Sequence, residues 1–115
     1  MAKNKVYCNC LETIKPVRDT LDVISGKWKL SIIISISVGN DRFTDIQESI
    51  PGITPKVLAK ELRELEDHKL ISRTIIQDYP VKICYRAEPY ADTLTPIIYA
   101  MKDWGLNHRE KIFHS

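Results

Sequence analysis

Apolar residues recur at helical spacings of three and four along most of the chain and alternate in one stretch past its middle. Val17, Leu21 and Ile24 share one face of a first predicted helix, which Pro16 can open because proline is harmless in a first turn. Gly26 breaks that run. In the following stretch, KWKLSIIISISVG, periodicity alone does not separate a buried helix from a strand, and its β-branched residues favour a strand. Gly39-Asn40-Asp41 reads as a turn, after which Phe43, Ile46 and Ile50 form the inward face of a short helix.

Pro51-Gly52 is a second turn, and Thr54-Pro55 then starts a helix with a mechanism. The threonine hydroxyl can cap a free N–H, and proline lacks the donor that a first helical position would orphan. Leu58, Leu62 and Leu65 define its buried stripe. At about 100° per residue, Lys56, Lys60 and Arg63 fall together on the opposite side, with the small Ala59 beside them. Asp67 marks where the cationic patch ends.

The stretch ISRTIIQDYPVKICYRAE alternates around Asp78-Tyr79-Pro80 and predicts a hairpin with strands near 71–77 and 81–87. Leu94, Ile97, Ile98, Met101 and Trp104 return to helical spacing in a last helix expected to end at Gly105. Three helices followed by a two-stranded wing make a winged helix-turn-helix: α+β, mostly helical, with a three-helix core and further N- and C-terminal helices. The expected division is a polar leader at 1–15, the domain at 16–105 and a tail at 106–115.

In a helix-turn-helix the second helix of the motif lies in the DNA major groove and presents its N-terminal residues to base edges. Thr54, Pro55, Lys56, Ala59, Lys60 and Arg63 are therefore the candidate reading surface on the helix at 55–68. Arg42 and Lys27 are candidates for holding the DNA backbone from flanking elements, and Arg73 and Lys82 belong to the wing. Lys29, beside Trp28, is a further candidate for phosphate or else a plain solvated position. An ordinary solvated helix back would show similar cations. The capped start and the wing weigh toward DNA.

With 115 residues the chain suits one domain that buries a core without disulfides or metals. Its net charge of +2 permits a polyanionic partner without demanding one. The longest apolar run, LSIIISISV, is about half the roughly 18 residues of a membrane span. The N-terminus lacks an apolar signal core, and the three cysteines make no disulfide framework. A cytoplasmic protein is expected. Cys8 and Cys10 are candidate redox thiols, but a metal site needs about four ligands and no second cluster accompanies them. Cys84 reads as a small buried hydrophobe within the hairpin. Neither metal nor cofactor is expected. No nucleophile elbow, phosphate loop or dinucleotide fingerprint is present, so no enzyme is expected.

The segments GKWKLSII, DRFTDIQESIPGITPKVLAKELRELEDHKLISR, VKICYR and LTPIIYAMKDWG resemble the HxlR-type winged helix transcriptional regulators over 16–105. The resemblance implies a helix for LSIIISIS, a homodimer on double-stranded DNA, and a palindromic operator that is commonly repressed. The terminal helices would supply the dimer interface, through Val17 and Leu21 of the first and Leu94, Ile97, Ile98, Met101 and Trp104 of the last. The family usually carries a Cys-Pro pair thirteen residues before the tryptophan of GKW, where this chain has Lys15-Pro16. Its sensor thiol is therefore not carried over to that position. Ala87-Glu88 and Ala91 replace the usual Leu-Thr and glycine before the last helix. Two rivals stand beside the plain regulator: one gated by an oxidant or small-molecule effector, and a winged helix adaptor for other proteins that binds no DNA.

Overall fold

The computed structural model describes residues 10–77 and 79–114, so Cys8 of the leader and Asp78 of the hairpin turn lie outside the described residues. The order is α1 (Cys10–Ile24), α2 (Lys29–Ser37), α3 (Phe43–Ser49), α4 (Pro55–Asp67), β1 (Ile71–Ile76), β2 (Lys82–Ala87), a 3₁₀ turn (Pro89–Leu94) and α5 (Thr95–His114). It is a winged helix: α2, α3 and α4 surround one core, and the β1–β2 hairpin is the wing.

The β-branched stretch is the helix α2, against its intrinsic preference. Ile32, Ile33 and Ile36 are buried in the shared core. Burying each contributes about 1.5–3 kcal/mol, while a β-branched residue disfavours a helix by at most about 0.7 kcal/mol. Packing decides. Ile46 of α3, Leu58, Leu62 and Leu65 of α4, and Leu70 and Ile71 at the root of the wing complete the centre of the core.

β1 and β2 pair antiparallel from Ile71 opposite Ala87 to Ile76 opposite Lys82. The Tyr85 N–H donates to the Asp41 carbonyl at 2.8 Å, which ties β2 to the turn after α2. The Glu88 N–H donates to the Leu70 carbonyl at 2.9 Å and closes the foot of the hairpin. The wing is thereby fixed to the helical core at its base.

Three helix boundaries differ from the sequence expectation, one of them the start of the last helix, since Leu94 lies in the 3₁₀ turn before α5. Pro16 lies inside α1, which begins at Cys10 within the expected leader. The apolar stripe in fact continues upstream to Ile14, one turn before Val17. Gly105 does not end the last helix, because α5 runs on to His114 through the expected tail. A lone glycine costs a helix about 1 kcal/mol relative to alanine, and Leu106, Arg109, Glu110 and Lys111 beyond it are good helix formers. The longest axis of the molecule measures 68 Å against a shortest of 22 Å.

Candidate nucleic-acid interface

The start and direction of α4 are set by local chemistry. Gly52 turns the chain from α3 with φ of 86°, a conformation that side-chain-bearing residues rarely adopt. The Val57 N–H donates to the Thr54 hydroxyl oxygen at 3.3 Å, and Pro55 occupies the first helical position. At the other end Lys69 takes the left-handed conformation, with φ of 64°. Its N–H donates to the Glu66 carbonyl and that of Leu70 to the Leu65 carbonyl. These two bonds form a Schellman stop. The chain leaves α4 abruptly into β1.

With Leu58, Leu62 and Leu65 buried, α4 turns Lys56, Ala59, Lys60 and Arg63 outward, and all four are exposed. Thr54 and Pro55 are exposed at its tip. The Thr54 oxygen serves the cap, so its hydroxyl proton stays available to an acceptor. Arg63 of α4 and Arg73 of β1 line one cleft between helix and wing, together with Ala59, Leu62, Glu66 and Tyr85. α4 and the wing thus converge on one surface.

The remaining cations are placed less uniformly. Arg42 is half-buried at the N-cap of α3, and Lys82 is half-buried at the start of β2. Lys27 is exposed, with its ammonium 4.8 Å from the centroid of the Trp28 ring. Trp28 itself packs against the core, and its ring edge lies 3.9 Å from where a side chain at Gly52 would begin.

Lys29 corrects the sequence reading. It is buried rather than solvated, and its Nζ donates to Glu61 Oε2 and to Glu64 Oε2 at 2.5 Å each. Burial works against the ammonium, but the hydrogen bonds and charges of Glu61 and Glu64 outweigh it and hold its pKa above the ordinary lysine value. The hydrogen bond from Lys29 holds the Glu64 carboxyl below the usual carboxylate range; burial opposes this, and the charges of Lys29, Lys60 and His68 reinforce it. Spacing along one helix gives no sign of such a pair, because its members lie 32 and 35 residues apart.

Of the residues expected at a dimer interface, Val17, Leu21, Ile97, Met101 and Trp104 are exposed. Leu94 is buried in the chain's own core and Ile98 packs against that core. The Trp104 ring stacks on His108, with centroids 4.8 Å apart, and is still 68% exposed. Cys10 opens α1, and Cys84 is buried in β2. No described helix is long and apolar enough to cross a membrane.

Comparison with known proteins agrees with this geometry. The HxlR-like helix-turn-helix family matches residues 23–113. The uncharacterized HTH-type transcriptional regulator YdeP of Bacillus subtilis (strain 168) is 38% identical over 97 residues, 84% of this chain and 76% of that protein. The redox regulator HypR in its reduced form superposes with a TM-score of 0.78 at 36% identity, over 87% of this chain and 99% of HypR. Diamide-treated YodB from B. subtilis gives a TM-score of 0.70 at 28% identity, over 80% of this chain and 91% of YodB. The chain belongs to the HxlR-like helix-turn-helix family of DNA-binding transcriptional regulators.

Proposed function

We propose that the protein is a homodimeric repressor that reads a palindromic operator with α4 and grips the adjoining backbone with the wing. The observation that carries this reading is the outward face of α4. Lys56, Lys60 and Arg63 stand exposed beside the small Ala59 on a helix whose opposite face is wholly committed to the core. Lysine and arginine match the acceptors of guanine in the major groove. Arg63 and Arg73 share a cleft, which suits one phosphate held between helix and wing. Lys56 and Lys60, away from that cleft, are then the base readers. Lys27, Arg42 and Lys82 supply flanking backbone contacts.

The dimer reading rests on the terminal helices. Apolar residues of α1 and α5, among them Leu21, Met101 and Trp104, are exposed on one chain, and two-fold pairing of these helices would cover them. Repression follows from occupancy of the operator. Selection of bound fragments from random duplex DNA tests the whole proposal. The expected outcome is two inverted half-sites about one helical turn, or a multiple of it, apart. Recovery of single, unpaired sites contradicts the dimeric reading, and failure to enrich any sequence contradicts operator reading.

A second reading is favoured by similarity to HypR and YodB, known in reduced, oxidized or diamide-treated forms. In it an oxidant releases the DNA through Cys8 and Cys10. Diamide should then weaken binding of the parent and leave a Cys8→Ser/Cys10→Ser variant unaffected. An unchanged parent affinity excludes thiol gating.

A further inference from the structure

We propose that Lys29 is a positioning residue for DNA reading: from the core side it binds Glu61 and Glu64 and offsets their charge behind the face that Lys60 presents. The inference rests on the assignment of α4 as the reading helix. α4 carries Glu61, Glu64, Glu66 and Asp67 among its cations, so an acidic helix is being asked to approach phosphates. Two of those carboxylates end on one buried ammonium.

Glu64 is the pivotal member. One of its oxygens accepts from Lys29, while the other lies 4.0 Å from the Lys60 ammonium, one turn back on the exposed face. Its side chain is 39% exposed, against 14% for Glu61, so it stands at the border between core and reading face. Lys29 therefore competes with Lys60 for the same carboxylate and wins on distance. Without Lys29, Lys60 at 4.0 Å is the cation left within ion-pair reach of Glu64 among the described residues, and an unbalanced carboxylate meets the incoming phosphates.

A buried ion pair is weak evidence for stability, because a well-packed apolar side chain often serves as well. The charge matters where the carboxylates face a polyanion. Even with Lys29 in place the three groups together keep one net negative charge, so its loss leaves two.

The test uses the full-length protein and the DNA fragment that it selects from random duplexes, with affinity read by fluorescence anisotropy and folding by thermal melting. Lys29→Met should lose about tenfold in affinity, as expected for an uncompensated charge near a polyanion. Adding Glu61→Gln and Glu64→Gln to Lys29→Met should restore affinity to within about twofold of the parent, and Lys29→Arg should keep most of it. A folded Lys29→Met variant with parental affinity overturns the proposal. So does a folded charge-free triple variant that stays as weak as Lys29→Met, because the carboxylates are then not the cause.

If Lys29→Met fails to fold, Glu64→Gln alone decides: it should leave binding equal or tighter, and a weaker complex overturns the inference. Lys60→Ala separates failure of the α4 reading from failure of the Lys29 role. Unchanged affinity in Lys60→Ala defeats the reading of α4 and this proposal together. A weakened Lys60→Ala beside an unaffected Lys29→Met defeats this proposal alone.

Discussion

Helices α4 and α5 both carry an apolar stripe at helical spacing and put it to opposite uses. In α4 the stripe of Leu58, Leu62 and Leu65 is wholly buried within its own chain. In α5 the stripe meets the core only at its start, through Ile98 just after the buried Leu94 of the 3₁₀ turn, and beyond that Met101, Trp104 and Ile112 are exposed. Periodicity reports that a face is apolar and is silent about what covers it. Their ends invert another rule: α4 stops at a lysine in the left-handed conformation, and α5 continues through a glycine.

Truncation in the core should have the largest effect. Leu62→Ala should cost about 2–5 kcal/mol of stability in urea denaturation, since a buried leucine leaves a cavity. Trp104→Ala should leave each subunit folded and weaken the dimer by about 2 kcal/mol, roughly thirtyfold in dissociation constant by sedimentation. Equal loss of fold in both variants would erase the distinction between the two helices. A parent protein that sediments as a monomer would contradict the proposed role of α5.

A smaller effect concerns pH, and it tests how α4 is anchored to α2. The lowered pKa of Glu64 stabilises the fold above the ordinary value of 4.5, and this contribution disappears as pH falls through the native value. The raised pKa of Lys29 stabilises the fold below the ordinary value of 10.5, and this contribution disappears as pH rises through the native value. Lys60 and His68 also face Glu64, and their charges deepen the acid side. Urea midpoints should therefore stay level between these limits and fall outside them. Lys29→Met should remove most of the alkaline fall, and a parental alkaline limb in that variant would show that the anchor contributes nothing.

The smallest effects lie at the two inverted ends. Lys69→Gly should stabilise the protein by up to about 1 kcal/mol, because glycine adopts the left-handed stop without steric cost. Gly105→Ala should give a similar gain, since a side chain there meets nothing within 4 Å in the single chain. Weaker dimerisation of Gly105→Ala would instead mean that a partner helix passes close to this position.

These differences mark what one sequence can reveal. The order of elements, the wing and the outward cations of α4 are legible because each follows from spacing, capping or turn chemistry within a few residues. The continuation of α5 past Gly105 is not, because a glycine can either stop a helix or merely weaken it. The helix at α2 conflicts with local preference, and tertiary burial of its isoleucines overrules that preference. Lys29 is the largest miss in the site. It belongs to a cluster assembled from α2 and α4, and its neighbours in sequence suggested a solvated lysine. Leu94 shares that lesson, being an apolar position expected outside and found in the core.

DNA reading by the exposed face of α4 is tested by a salt-dependent titration of the selected DNA fragment. The Lys56→Ala/Lys60→Ala/Arg63→Ala variant should keep the parental melting curve and lose most of its sequence-specific affinity, about 1–3 kcal/mol for each base-contacting cation removed. Its dependence on salt should also be shallower than the parent's, because fewer counterions are released on binding. A folded triple variant with parental affinity and parental salt dependence would contradict the account.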